Sequence, residues 1–192
     1  MAQSRVTVVK QLPDELFSEL KETCAKRRLD EEWNLADRLV GAMIQQSSLE
    51  VSSALQDWIV AQTSNLWYDI KATCPWNPNY FFPDYLRLRD LWVNYQRPGE
   101  FNPVHCHNGV VSFVIFVDIP YGASERQYHR ASGNFQLEDQ ILDVDAKWNG
   151  TLLMFPSYTQ HAVYPYQSTD KERITVAGNL YWNVDEVEDQ WW

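Results

Sequence analysis

The sequence predicts a mainly β protein: two antiparallel sheets packed as a jelly roll, with N-terminal helices buttressing one face. Three observations predict it. From Leu88 onward, six short segments rich in β-branched and aromatic residues are separated by Gly, Pro, Asn and Asp, the punctuation of turns between strands. Ahead of them, SSALQDWIVAQTSNLWYDI (residues 52–70) spaces its apolar residues at helical intervals. Nine Trp and ten Tyr suit a β-rich core, because large flat side chains pack well on pleated surfaces. At 192 residues and 45% hydrophobic content, the chain reads as one domain, 1–192, with 1–86 a largely helical buttress and loop and 87–183 the β core.

Taken in order, RVTVV (5–9) reads as a short strand. Pro13 suits a first helical position, with Leu16, Phe17 and Leu20 at helical spacing behind it. Trp33 to Leu49 is compatible with helix or loop. In 52–70, Leu55, Trp58, Ile59, Leu66, Trp67 and Ile70 form one helical stripe. The three prolines of CPWNPNYFFPDYL (74–86) break both regular patterns, so this segment is a connector over apolar surface or a substrate-facing lid. The strands are LRDLWVNYQ, VVSFVIFVDI, NFQLED, GTLLMFP, HAVYPY and RITVAGNLYWN.

Sixteen Lys and Arg against 26 Asp and Glu leave a net charge of −10, which repels phosphate polyanions at long range and argues against a nucleic-acid partner. Cys24, Cys74 and Cys106 are odd in number and widely spaced, giving neither a disulfide framework nor a thiolate zinc site; reduced thiols in a cytoplasm are expected. No run of 18 apolar residues suggests a membrane span.

In an extended chain, alternate side chains share a face, so His105 and His107 point one way and Cys106 the other. Two imidazoles so placed can converge on a metal. GTLLMFPSYTQH (150–161) could bring His161 to the same point from a distant strand, and three neutral imidazoles leave coordination positions open, as a catalytic transition-metal centre needs. An H-x-H pair with one remote histidine is also a common coincidence. Arg173 and Thr175 share a face, and a guanidinium beside a hydroxyl can hold a carboxylate; equally, Arg173 could pair at the surface with Asp170 or Glu172. Asn94 and Tyr95 precede the histidines on the strand before. His129 reads as a solvated loop residue, with substrate contact as the alternative. Trp191 and Trp192 would tuck into a groove or against a partner subunit.

The succession W-x-N-Y-x-x-x-G (from Trp92), H-x-H-N, a serine on an apolar strand, G-T-L-L-M-F-P-S, His161, R-I-T and Asn179 resembles the 2-oxoglutarate- and Fe(II)-dependent oxygenases. It is closest to the oxygenase group of phages and marine bacteria whose motifs read H-x-H-P-N-S, L-F-P-S and R-I-S. The resemblance spans residues 92–179. It implies a double-stranded β-helix, cupin-like, holding Fe(II), with 2-oxoglutarate as cosubstrate and dioxygen as oxidant, and hydroxylation of a substrate coupled to release of succinate and carbon dioxide. By position, His105 and His161 match iron ligands and Arg173 matches the residue that pairs with the far carboxylate of 2-oxoglutarate. Thr175, Tyr95 and Asn94 match polar positions of the cosubstrate pocket, and Leu153 and Phe155 match wall residues or plain core. Trp92, Tyr80 or Phe82 would shield the mouth. A phage-encoded protein in a host cytoplasm, a small-molecule or peptide substrate and a homodimer are all compatible with it.

His107 departs from the family pattern, in which Asp or Glu completes a two-histidine, one-carboxylate triad. It is a third neutral ligand, or it turns away, or a carboxylate from elsewhere replaces it. The first is preferred because His107 shares a face with His105. It leaves the metal site one charge more positive, which favours a dianionic cosubstrate. The rivals are a cupin-type three-histidine iron dioxygenase, with Arg173 on the substrate's carboxylate, and a non-catalytic jelly-roll binding module.

Overall fold

Residues 7–30, 42–43, 45–73, 86–122, 124 and 132–182 are described by the computed structural model, with side chains of the second helix described for 53–64 and 66. Strand β1 (Val8–Gln11) leads into helix α1 (Asp14–Arg27), whose first turn carries Asp14 and Glu15 and whose last carries Lys26 and Arg27, matching the helix macrodipole. Pro13 caps this helix from just outside, where its missing N–H goes unneeded. β2 (Gln46–Ser48) falls where helix or loop was expected. It is a strand because it pairs with the next long strand, Gln46 opposite Asn94, a contact that local sequence pattern does not encode. α2 (Ser53–Thr73) buries Leu55, Ile59 and Leu66, as its stripe predicts.

The remaining strands are β3 (Leu86–Gln96), β4 (Asn102–His105), β5 (Val111–Asp118), β6 (Phe135–Leu137), β7 (Gln140–Leu142), β8 (Thr151–Pro156), β9 (His161–Val163) and β10 (Arg173–Trp182). They form a six-stranded sheet, β1-β8-β5-β10-β3-β2, and a four-stranded sheet, β4-β9-β6-β7, with antiparallel pairing throughout. Among the described residues the protein is therefore mainly β with two α-helices. No described helix is long and apolar enough to cross a membrane. Residues 74–85, 125–131 and 183–192 lie outside the described residues, and with them Tyr80, Phe82, His129, Trp191 and Trp192.

The larger sheet has a core on each face. Leu20, Cys24, Leu55 and Ile59 of the helices join Val93, Phe113, Ile115, Met154 and Val176 in one cluster; Val114, Phe116, Leu153 and Phe155 join Phe135 and Leu137 of the smaller sheet in the other. Strand β5 is apolar at every position from Phe113 to Val117 because both of its faces are covered. Each such side chain contributes about 1.5–3 kcal/mol over leaving it exposed.

Gly178 lies on β10, between β3 and β5. A Cβ there would sit 2.6 Å from the Asp90 carbonyl oxygen and 2.6 Å from Phe113 Cζ. Because the obstacle includes backbone, Gly178→Ala is expected to destabilise the protein by about 1–3 kcal/mol, read as a lowered urea midpoint at constant slope. An unchanged midpoint would show that the two strands can spread at no cost.

Candidate metal centre

A cavity of about 270 Å³ opens between the two sheets. Strand alternation decides what lines it. On β3 the inward residues are Trp92, Asn94 and Gln96, and on β10 they are Arg173, Thr175 and Ala177. The antiparallel register sets them face to face, Gln96 with Arg173, Asn94 with Thr175 and Trp92 with Ala177.

The histidines enter from the smaller sheet. His105 on β4 and His161 on β9 are direct cross-strand partners, with ring centroids 4.2 Å apart. His107 lies beyond the end of β4, where its backbone N–H donates to the Ser157 carbonyl at 3.0 Å. That bond returns its ring to within 4.9 Å of His105 and 5.0 Å of His161. One nitrogen from each of the three lies within 4.8 Å of the others. Among the described residues no Asp or Glu lines the cavity.

Carbonyl contacts orient two of the rings. Nδ1–H of His105 donates to the Pro103 carbonyl at 2.7 Å and Nδ1–H of His161 to the Thr159 carbonyl at 3.0 Å, which assigns the lone pair to Nε2 in each. Asn102 Nδ2 then donates to His105 Nε2 at 3.3 Å. Burial, then repulsion from His105, lowers the His161 pKa to about 3 against the support of the Thr159 carbonyl; burial and His105 lower that of His107 to about 4, with Asp90 opposing. Both rings are neutral near pH 7, the protonation state a metal ligand requires.

The same shifts set an acid sensitivity. Unfolded, each ring takes up a proton near pH 6.5, whereas folded it resists until about 4 or 3, so between those limits the unfolded chain binds more protons and stability falls as pH falls. Metal-free protein is expected to lose melting temperature steadily from pH 6.5 towards 4, and the His161→Phe variant to lose less. Parallel curves for the two proteins would exclude this cause.

Arg173 is 3% exposed. Nε donates to Gln96 Oε1 at 3.0 Å, Nη1 to the Tyr121 hydroxyl at 2.8 Å and to the Gly133 carbonyl at 2.6 Å, and Nη2 to Gln96 Oε1. The expected alternative of a surface ion pair fails: Glu172 pairs instead with Arg28 at 2.7 Å and Arg97 at 3.4 Å, and Arg28 and Arg97 hold its pKa below the usual carboxylate range. Asn94 accepts from Gln46 at 2.9 Å and donates to Thr175 Oγ1 at 3.3 Å.

Tyr95 requires a correction. It points to the opposite face, into the helix-side core, where its hydroxyl donates to the Cys24 carbonyl and Arg28 lies over its ring at 5.2 Å. Neighbours on a strand cannot both face one cavity, so Asn94 inside puts Tyr95 outside. Burial raises its pKa well above the usual phenol range. Leu153 packs in the inter-sheet core, whereas Phe155 lines the cavity, 4.9 Å from the His161 ring. Trp92 lines it as well, 5.6 Å from His107. Gln96, Gln46, Asn102 and Tyr121 were not singled out from sequence. The alternation that excludes Tyr95 would have found Gln96.

Residues 90–179 match the family described as "Putative 2OG-Fe(II) oxygenase". No curated protein matches the chain by sequence. Among solved structures, a Pseudomonas putida prolyl-4-hydroxylase superimposes with a TM-score of 0.59 at 19% identity, covering 93% of each chain. A Trichoplax adhaerens prolyl hydroxylase, solved with a peptide of the hypoxia-inducible factor oxygen degradation domain, superimposes with a TM-score of 0.57 at 14% identity, covering 97% of this chain and 88% of that one. At such identities the likeness is one of fold.

Proposed function

We propose that the protein is a 2-oxoglutarate- and Fe(II)-dependent hydroxylase built on a double-stranded β-helix, a reading supported by the match of residues 90–179 to that oxygenase family. The family implies Fe(II), 2-oxoglutarate and dioxygen. One observation carries the reading: three imidazoles and a buried guanidinium share a single cavity that no carboxylate lines among the described residues. A nitrogen-only donor set suits a divalent first-row metal. The chemistry supplied when the cosubstrates are bound is oxidative decarboxylation of 2-oxoglutarate to succinate and carbon dioxide, coupled to insertion of one oxygen atom into a substrate C–H bond.

His105, His107 and His161 would hold the iron, with Pro103 and Thr159 keeping two of the rings turned inward. Arg173 and Thr175 would take the far carboxylate of 2-oxoglutarate. Phe116, Phe135 and Phe155 give the cavity apolar walls, which strengthens every charge interaction within it. Trp92 offers a flat surface beside His107 for the group to be oxidised. A peptide substrate fits the structural likeness to prolyl hydroxylases, one of them bound to a peptide.

Anaerobic addition of Fe(II) and then 2-oxoglutarate is expected to produce the visible charge-transfer band of the chelate, and admission of air to yield succinate. Iron binding without any 2-oxoglutarate binding would point to a three-histidine dioxygenase acting directly on a small molecule. Failure to bind iron would leave a binding module.

A further inference from the structure

Arg173 is anchored by an uncharged residue. Gln96 Oε1 accepts from both Nε and Nη2 of the guanidinium, and Gln96 Nε2 donates to the Glu100 carbonyl, so the amide cannot turn over without losing both contacts. The other acceptors, the Tyr121 hydroxyl and the Gly133 and Tyr164 carbonyls, are uncharged too. The nearest acid in sequence, Glu172, is held by Arg28 and Arg97. A guanidinium 3% exposed, hydrogen-bonded but with no counter-charge among the described residues lining its cavity, is costly to the fold unless a ligand supplies the anion.

We propose that Gln96 is a positioning residue for anion binding: its amide fixes the plane of the Arg173 fork and withholds the negative charge that would neutralise it, so the cavity selects ligands with a carboxylate at its Arg173 end. The identity of that ligand, 2-oxoglutarate, rests on the oxygenase reading. Glutamate has the same reach as glutamine and would satisfy Nε and Nη2 equally well. Only the charge distinguishes them.

The test is anaerobic calorimetry of 2-oxoglutarate binding to Fe(II)-loaded wild type, Gln96→Glu, Arg173→Gln and the double variant, with Fe(II) affinity measured in each. Gln96→Glu is expected to weaken 2-oxoglutarate binding by about 100-fold and leave Fe(II) affinity within about 2-fold, whereas on the Arg173→Gln background it adds less than about 3-fold. Wild-type affinity in Gln96→Glu, or an equal loss on both backgrounds, overturns the proposal. Should Gln96→Glu not fold, Gln96→Met carries the test. It removes the acceptor without adding charge, and about a 10-fold loss confined to the Arg173 background is expected. Unchanged affinity overturns the proposal there too. Wild-type protein that binds Fe(II) but not 2-oxoglutarate sinks the oxygenase reading. The anion proposal is then judged on succinate, and falls if succinate does not bind either.

Discussion

His161→Ala is expected to lower Fe(II) affinity by at least about 100-fold, because on the proposed assignment it removes a ligand outright where loss of a mere orienting partner already costs 10- to 100-fold. His161 is the deepest of the three, 5% exposed, with its ring stacked on Phe135 at 5.7 Å and tilted against Phe155 at 4.9 Å. Those rings leave it little freedom to rotate, so the ligand position proposed for it is preorganised. His107 is the informative comparison. It stands outside strand β4 and is returned to the cluster by one backbone bond to Ser157, so if it is a true third ligand His107→Ala must also lose metal, measured by anaerobic equilibrium dialysis. Unchanged iron affinity in His107→Ala would falsify the three-nitrogen assignment. His107→Asp separates charge from donor number. It restores the two-histidine, one-carboxylate set, so it should keep iron, while the added negative charge opposes the dianionic cosubstrate and weakens 2-oxoglutarate binding.

What the sequence made visible follows from how far apart the interacting residues lie. The β segments after Leu88 and the stripe of α2 are local patterns, and the structure has strands and a helix there. Strand β2 was not legible, because Gln46–Ser48 is extended only through its pairing with β3, some 45 positions along the chain. The histidine cluster could be anticipated as a motif, yet the reason His105 and His161 meet is a cross-strand register that no local pattern states. Asn94 and Tyr95 show the opposite failure, since matching both to one pocket overlooked a rule the sequence does obey. On β3 the inward set is 92, 94 and 96, so the amide of Gln96 occupies the place expected of the Tyr95 phenol. Tyr121 and Gly133 were out of reach: they meet Arg173 only after the chain has closed loops of 52 and 40 residues.

If Arg173 holds the far carboxylate as proposed, Arg173→Ala is expected to raise the KM for 2-oxoglutarate by about 10²- to 10³-fold, the consequence of leaving one carboxylate of a dianion in a low-dielectric cavity without its cation. Fe(II) affinity should hold, because none of the described imidazoles hydrogen-bonds to Arg173. Truncation also strips Gln96 Oε1 of its two donors, whereas the Tyr121 hydroxyl keeps its own bond to the Gly133 carbonyl at 2.7 Å. The fold penalty therefore falls mainly on the Gln96 amide, with smaller losses at the Tyr121 hydroxyl and the Gly133 and Tyr164 carbonyls, about 1–3 kcal/mol. Arg173→Lys divides charge from geometry. An ammonium keeps the positive charge but cannot span Gln96 on one side and Tyr121 on the other, so an intermediate loss of about 10-fold is expected. If lysine bound 2-oxoglutarate as well as arginine does, the fork held by Gln96 would be irrelevant to binding. If alanine did, the guanidinium would be a structural group, and the positive end of the cavity would have to come from the metal alone.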